Sequence, residues 1–277
     1  MAATMGASRS DDSAPTLRDS ARVQLRKIGG SGTPAWRTRP PWSGGATPAS
    51  GYVERKAYVE PFVPRFQGRP WVSGMRALHV YVLPRPGVDD DLLSIAQSCR
   101  PILGGYPIDP QCGSEPNTAG LLHLTAEMLA DAPSAEYDEA ARAEVVDVLR
   151  AELADVPTFT TEVGPPIGNI AGAVLDVWPE ADTVALIERT RTAIRKARGD
   201  EALQHSGGRP HISLGYSYGT ASSDPLNSEL RNKVIPRRAT LFVDRVHLLD
   251  VEWTLDEELG GWRMTWEPVA EIPLASR

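Results

Sequence analysis

Residues 209–216 read RPHISLGY, and residues 121–126 read LLHLTA. Both are short apolar runs of strand character. In a strand, side chains two positions apart share a face. His211 and Ser213 therefore stand side by side, as do His123 and Thr125, while Ile212 and Leu124 face the other way. The couples lie 88 residues apart. Histidine two positions before a hydroxyl is a weak signal taken alone; its weight comes from what precedes each couple.

ALHVYVLP (77–84) alternates and is stopped by Pro84, which predicts a strand. DDDLLSIAQSC (89–99) opens with acidic caps and lines up Leu92, Ile95, Ala96 and Cys99 on one helical face. The His123 run follows. AGAVLDVWP (171–179) predicts a second strand ended by proline, and EADTVALIERTRTAIRKARG (180–199) a helix with acids first, bases last and a glycine stop. The His211 run comes next. The body thus reads strand–helix–strand twice, each unit ending in a histidine strand, which predicts two similar lobes about a pseudo-two-fold axis.

Between the units, EYDEAARAEVVDVLRAEL (136–153) predicts an amphipathic helix, and SDPLNSELRNKV another at 223–234. ATLFVDRVHLLDVEW (239–253) and GWRMTWEPVAEIPL (261–274) predict a closing hairpin turning near Gly260 and Gly261.

Residues 1–72 form a basic extension rich in proline and glycine, to be followed by the domain at 73–277. Residues 1–70 carry 11 Lys+Arg against 5 Asp+Glu, and the remainder 18 against 31. An acidic body argues against coating long nucleic acid, which needs a basic surface. The basic segment remains a candidate contact for nucleic acid or protein; Trp36 and Trp42 are candidate anchors onto the body, and RVQLRKI (22–28) and AYVEPFV (57–63) candidate strands. No apolar run reaches the roughly 18 residues of a membrane helix. The N-terminal residues lack the apolar stretch of a secretory signal, and two cysteines make no disulfide framework. These features predict a cytoplasmic protein with reduced thiols and no membrane association.

The chemistry suggested by two imidazole–hydroxyl couples is that of phosphate esters. Imidazole titrates near neutrality, so a pair across a cleft can serve as general base and general acid. Two hydroxyls can donate to the phosphoryl oxygens where charge builds. The scheme requires no metal and no cofactor. No His-Glu-x-x-His and no Walker A loop is present.

On LLHLTA and RPHISL the chain resembles the two-histidine (2H) phosphoesterase superfamily, in particular the bacterial RNA 2′,3′-cyclic phosphodiesterase and 2′-5′ RNA ligase-like group. The resemblance covers about residues 75–274. It implies an α+β, bilobal fold, with two antiparallel sheets flanking a central cleft and helices outside. It also implies metal-independent opening of 2′,3′-cyclic phosphates on RNA ends or nucleotides. His123 and His211 are then the acid–base pair, with His211 taken as base and the two interchangeable, and Thr125 and Ser213 are phosphate ligands. The same site admits 2′-5′ ligation, cleavage of a cyclic oligonucleotide, or nucleotide recognition without turnover. Many relatives carry arginine five residues after the second histidine; here that position is Tyr216. Arg209 shares strand parity with His211 and is a candidate phosphate contact. Tyr216 is a candidate substrate contact only where a bulge at Gly215 re-aims it, because regular pairing turns it off the catalytic face. Tyr81 and Trp178 are candidate stacking residues, and His79 is expected to be a packed or edge residue.

Overall fold

The computed structural model describes residues 58–203 and 208–276; the strand expected at 22–28, Trp36 and Trp42 lie outside the described residues. Eight main strands and four helices make the body. They are β1 (Arg76–Val82), α1 (Asp90–Leu103), β2 (Leu124–Met128), α2 (Glu139–Leu153), β3 (Phe159–Asn169), β4 (Gly172–Trp178), α3 (Ala181–Arg198), β5 (His211–Ser217), α4 (Ser223–Lys233), β6 (Ala239–Val243), β7 (Arg245–Asp256) and β8 (Gly261–Pro273).

The helices form where apolar periodicity and end signals agree. In α1, Leu92, Leu93, Ile95, Ala96, Cys99, Ile102 and Leu103 are buried, with Asp90 and Asp91 in the first turn and Arg100 in the last. The Asp138 carboxylate accepts the Ala141 N–H and caps α2. Helix α3 stops at Gly199, whose φ of 83° a side chain would disfavour.

The strands follow one antiparallel path, β6-β3-β4-β5-β2-β1-β7-β8, with the short strand Ile108–Pro110 pairing β5. The path is a palindrome. Read outward from its centre, β2-β1-β7-β8 makes one lobe and β5-β4-β3-β6 the other. The two sheets meet at β2 and β5 through one residue pair, Leu124 with Ile212.

Two differences from the sequence reading stand out. The run at 239–253 is not one strand. It divides at Asp244, so that β6 pairs β3 at the edge of one lobe and β7 pairs β1 and β8 in the other. Strand β3 carries Gly164, Pro165 and Pro166, a composition that hides a strand. It tolerates them because its register with β4 shifts between Val163 and Pro166.

Strands β2, β1 and β7 bury side chains on both faces. Leu78, Val80, Leu124, Ile212 and Leu214 belong to the large core beneath the helices. Ala77, Tyr81, Met128, Val251, Trp253 and Met264 form a second, aromatic-rich cluster. Residues 58–72, just upstream of β1, pack on this body: Val59 joins the first core, and Phe66 and Trp71 the second. No helix among the described residues is long and apolar enough to cross a membrane.

Candidate active site

The Leu124–Ile212 pair sets the geometry. Both side chains are fully buried on the helix side. Their flanking residues therefore point to the opposite face, and antiparallel pairing puts His123 across from Ser213 and His211 across from Thr125. All four line one cavity of about 700 Å³.

Each couple sits at the start of an irregular strand, His123 immediately before β2 and His211 as the first residue of β5. The β1–β2 register shifts so that Ala126 is the extra residue, directly after Thr125. The β4–β5 register shifts so that Leu214 is the extra residue, directly after Ser213. The two bulges occupy equivalent places, and each reverses the facing of the residues that follow it. Met128 and Tyr216 thereby return to the cavity side. This is the re-aiming that Tyr216 requires, although the inserted residue is Leu214 rather than Gly215. Gly215 serves close approach instead: a Cβ there would lie 2.6 Å from Ile108 Cγ2 and 2.9 Å from the Asp109 carbonyl oxygen.

The imidazoles are held alike. His123 Nδ1 lies 2.8 Å from the Leu121 carbonyl oxygen, and His211 Nδ1 lies 2.8 Å from that of Arg209. A carbonyl only accepts, so Nδ1 carries the proton and a neutral ring keeps its lone pair on Nε2. Their surroundings differ. Tyr81 stacks on His123 at 4.2 Å between ring centroids, and Trp266 meets it edge-on at 5.8 Å. His123 is only 3% exposed, and burial, with His211 nearby, lowers its pKa from 6.5 to about 4. His211 is half-buried.

The remaining expected residues divide. The Tyr216 hydroxyl donates to Ser213 Oγ at 3.1 Å. The Tyr216 ring lies 4.5 Å from that of Phe62 and 5.1 Å from that of Trp253. Arg209 lines the rim of the cavity, but its Nε sits 3.3 Å from carboxylate oxygens of both Asp176 and Glu180. Trp178 is exposed and does not line the cavity. His79 has more than the packing place the sequence reading gives it. Its Nδ1 lies 2.7 Å from the Tyr81 hydroxyl, and both residues line the cavity. The alternation of β1, which puts residues 79 and 81 on one face, is the available signal. Glu127 is also unforeseen; it is buried, with Oε1 accepting the Met128 N–H and Oε2 paired to Arg191.

Two antiparallel sheets meeting at a central cleft, with helices outside, make an α+β fold. TT0787 of Thermus thermophilus shares it at 14% identity and a TM-score of 0.51, over 73% of this chain and 99% of that one. A structure described as a phosphoesterase matches at 14% identity and a TM-score of 0.47, over 72% and 99% of the two chains. Apo LigT of E. coli matches at 13% identity and a TM-score of 0.46, over 73% and 99%. At these identities the likeness is one of fold. No protein-family model and no curated protein matches the chain.

Proposed function

We propose that the protein is a phosphoesterase that opens 2′,3′-cyclic phosphates by two-histidine acid–base catalysis, without a metal ion. The observation that carries this reading is the pairing of two imidazole–hydroxyl couples around one cavity, on either side of a local two-fold axis.

In this scheme the phosphate lies near that axis. Thr125 and Ser213 donate hydrogen bonds to its non-bridging oxygens, where negative charge grows during attack. The Tyr216 hydroxyl, donating to Ser213 Oγ, leaves the serine proton free for that purpose. One histidine takes a proton from water as the oxygen bonds to phosphorus. The other gives a proton to the ribose oxygen as its bond to phosphorus breaks, and a phosphomonoester results. Burial keeps His123 neutral at pH 7, which suits it as the base. That reverses the order expected from the sequence and makes His211 the acid. Arg209 is held by two carboxylates and plays no direct part in this scheme.

The test is turnover of a 2′,3′-cyclic nucleotide by purified protein in the presence of EDTA. Each of His123→Ala and His211→Ala is expected to lower kcat by about 10²–10⁴-fold. Full activity in either variant, or loss of wild-type activity on chelation, rejects the mechanism.

A further inference from the structure

Residues 58–72 run from one lobe to the other along the cavity. At their start they are tied to the β5 lobe: Tyr58 and Val59 pair with Ser222 and Ala221, Glu60 N–H donates to the Ile170 carbonyl, and Phe62 N–H to that of Ser217. Further on they are tied to the β2 lobe. The Gln67 side-chain amide donates to the Ala130 carbonyl at 2.9 Å and to that of Asp131 at 3.1 Å. Trp71 packs in the aromatic cluster. Between these anchors, Phe62, Val63, Pro64 and Arg65 form part of the cavity wall. Phe62 packs on Tyr216 and on Trp253, one ring from each lobe.

This strap gives the cavity a particular character. Its volume falls within the roughly 300–1,000 Å³ of sites that enclose one small molecule. Beyond the phosphate cradle its lining is mainly apolar, with Phe62, Val63, Trp71, Val184, Ile187 and Trp253 around it. A polymer would bring further phosphates, which need cations along their track. The lining arginines are not arranged as such a track. Arg191 is paired with Glu127 and Arg209 with Asp176 and Glu180, while Arg65 Nη1 donates to the Gly68 carbonyl.

We infer that the strap makes this site selective for a single nucleotide-sized cyclic phosphoester, its base against the apolar wall, over the cyclic phosphate at the end of an RNA chain. For its chemistry the inference rests on the phosphodiesterase reading. The experiment therefore measures turnover and binding separately. A nucleoside 2′,3′-cyclic phosphate is compared with a tetranucleotide ending in that same group. Binding of the nucleoside 3′-phosphate is compared with that of the tetranucleotide 3′-phosphate through tryptophan fluorescence.

The expected result is a kcat/KM at least tenfold higher for the mononucleotide, with the same order in affinity. Phe62→Ala should narrow that ratio mainly by raising the mononucleotide KM. Turnover of both substrates with equal kcat/KM overturns the selectivity and leaves the phosphodiesterase reading intact. Tight mononucleotide binding without turnover, with the tetranucleotide excluded, supports the selectivity and overturns the activity. A protein that binds and cleaves neither overturns both. Should Phe62→Ala fold poorly, Val63→Trp supplies the second variant: it narrows the cavity from the strap side and is expected to raise the mononucleotide KM more than it lowers kcat.

Discussion

His123 sits between the face of Tyr81 and the edge of Trp266, and this enclosure decides its protonation. A base must be unprotonated to work, so kcat/KM should fall as pH drops, with the acidic limb centred near the free enzyme's value of about 4 rather than 6.5. A pH profile of kcat/KM checks this. Tyr81→Leu removes the stacked ring and admits water, which should move that limb upward, toward 6.5. A second expectation concerns Tyr216. Tyr216→Phe keeps the packing on Phe62 and Trp253 but removes the donor to Ser213. The loss should be about fivefold in kcat, corresponding to one hydrogen bond of ~1 kcal/mol, with little change in thermal midpoint. A fall of about 10³-fold, beyond what one such bond supplies, would give Tyr216 a direct part in the reaction.

At the scale of elements, much was legible because the signals were local. The periodicity and end residues of α1, α2 and α3 lie within single windows of sequence, and so does the hairpin of β7 and β8. The histidine couples were legible because a strand repeats every two residues. What escaped depends on partners far along the chain. The bulges at Ala126 and Leu214 exist only relative to β1 and β4, so nothing inside RPHISLGY fixes where Tyr216 points. The division of the 239–253 run at Asp244 follows from two different partners for its halves. The close crossing of β4 and β5 was equally invisible. Gly172 has φ of 141°, and a Cβ there would come within 2.1 Å of the Gly215 carbonyl oxygen. Gly172→Ala is therefore expected to destabilise the protein by more than about 2 kcal/mol and to displace the bulge behind Ser213. Urea unfolding together with kcat measures both effects; an unchanged midpoint would show that the crossing relaxes freely.

The whole molecule should register the buried imidazole as a dependence of stability on pH. The unfolded chain protonates His123 near 6.5, whereas the folded chain resists until about 4. Between these values the unfolded state binds more protons, so stability rises with pH and is lost as pH falls through that window. The full loss is about 3 kcal/mol at roughly 1.36 kcal/mol per pH unit. Urea midpoints at pH 7 and pH 4 for wild type and His123→Gln isolate this contribution from that of the carboxylates; the variant should lose less on acidification. Equal losses would place the pH sensitivity elsewhere.

The local two-fold axis between Leu124 and Ile212 has a kinetic corollary. A centre that looks alike from both sides imposes no direction on proton traffic, and the route by which a bond to phosphorus closes is the route by which it opens. Direction has to come from whatever breaks the likeness. Here that is the contrast between an imidazole sealed under two aromatic rings and its counterpart near the solvent edge.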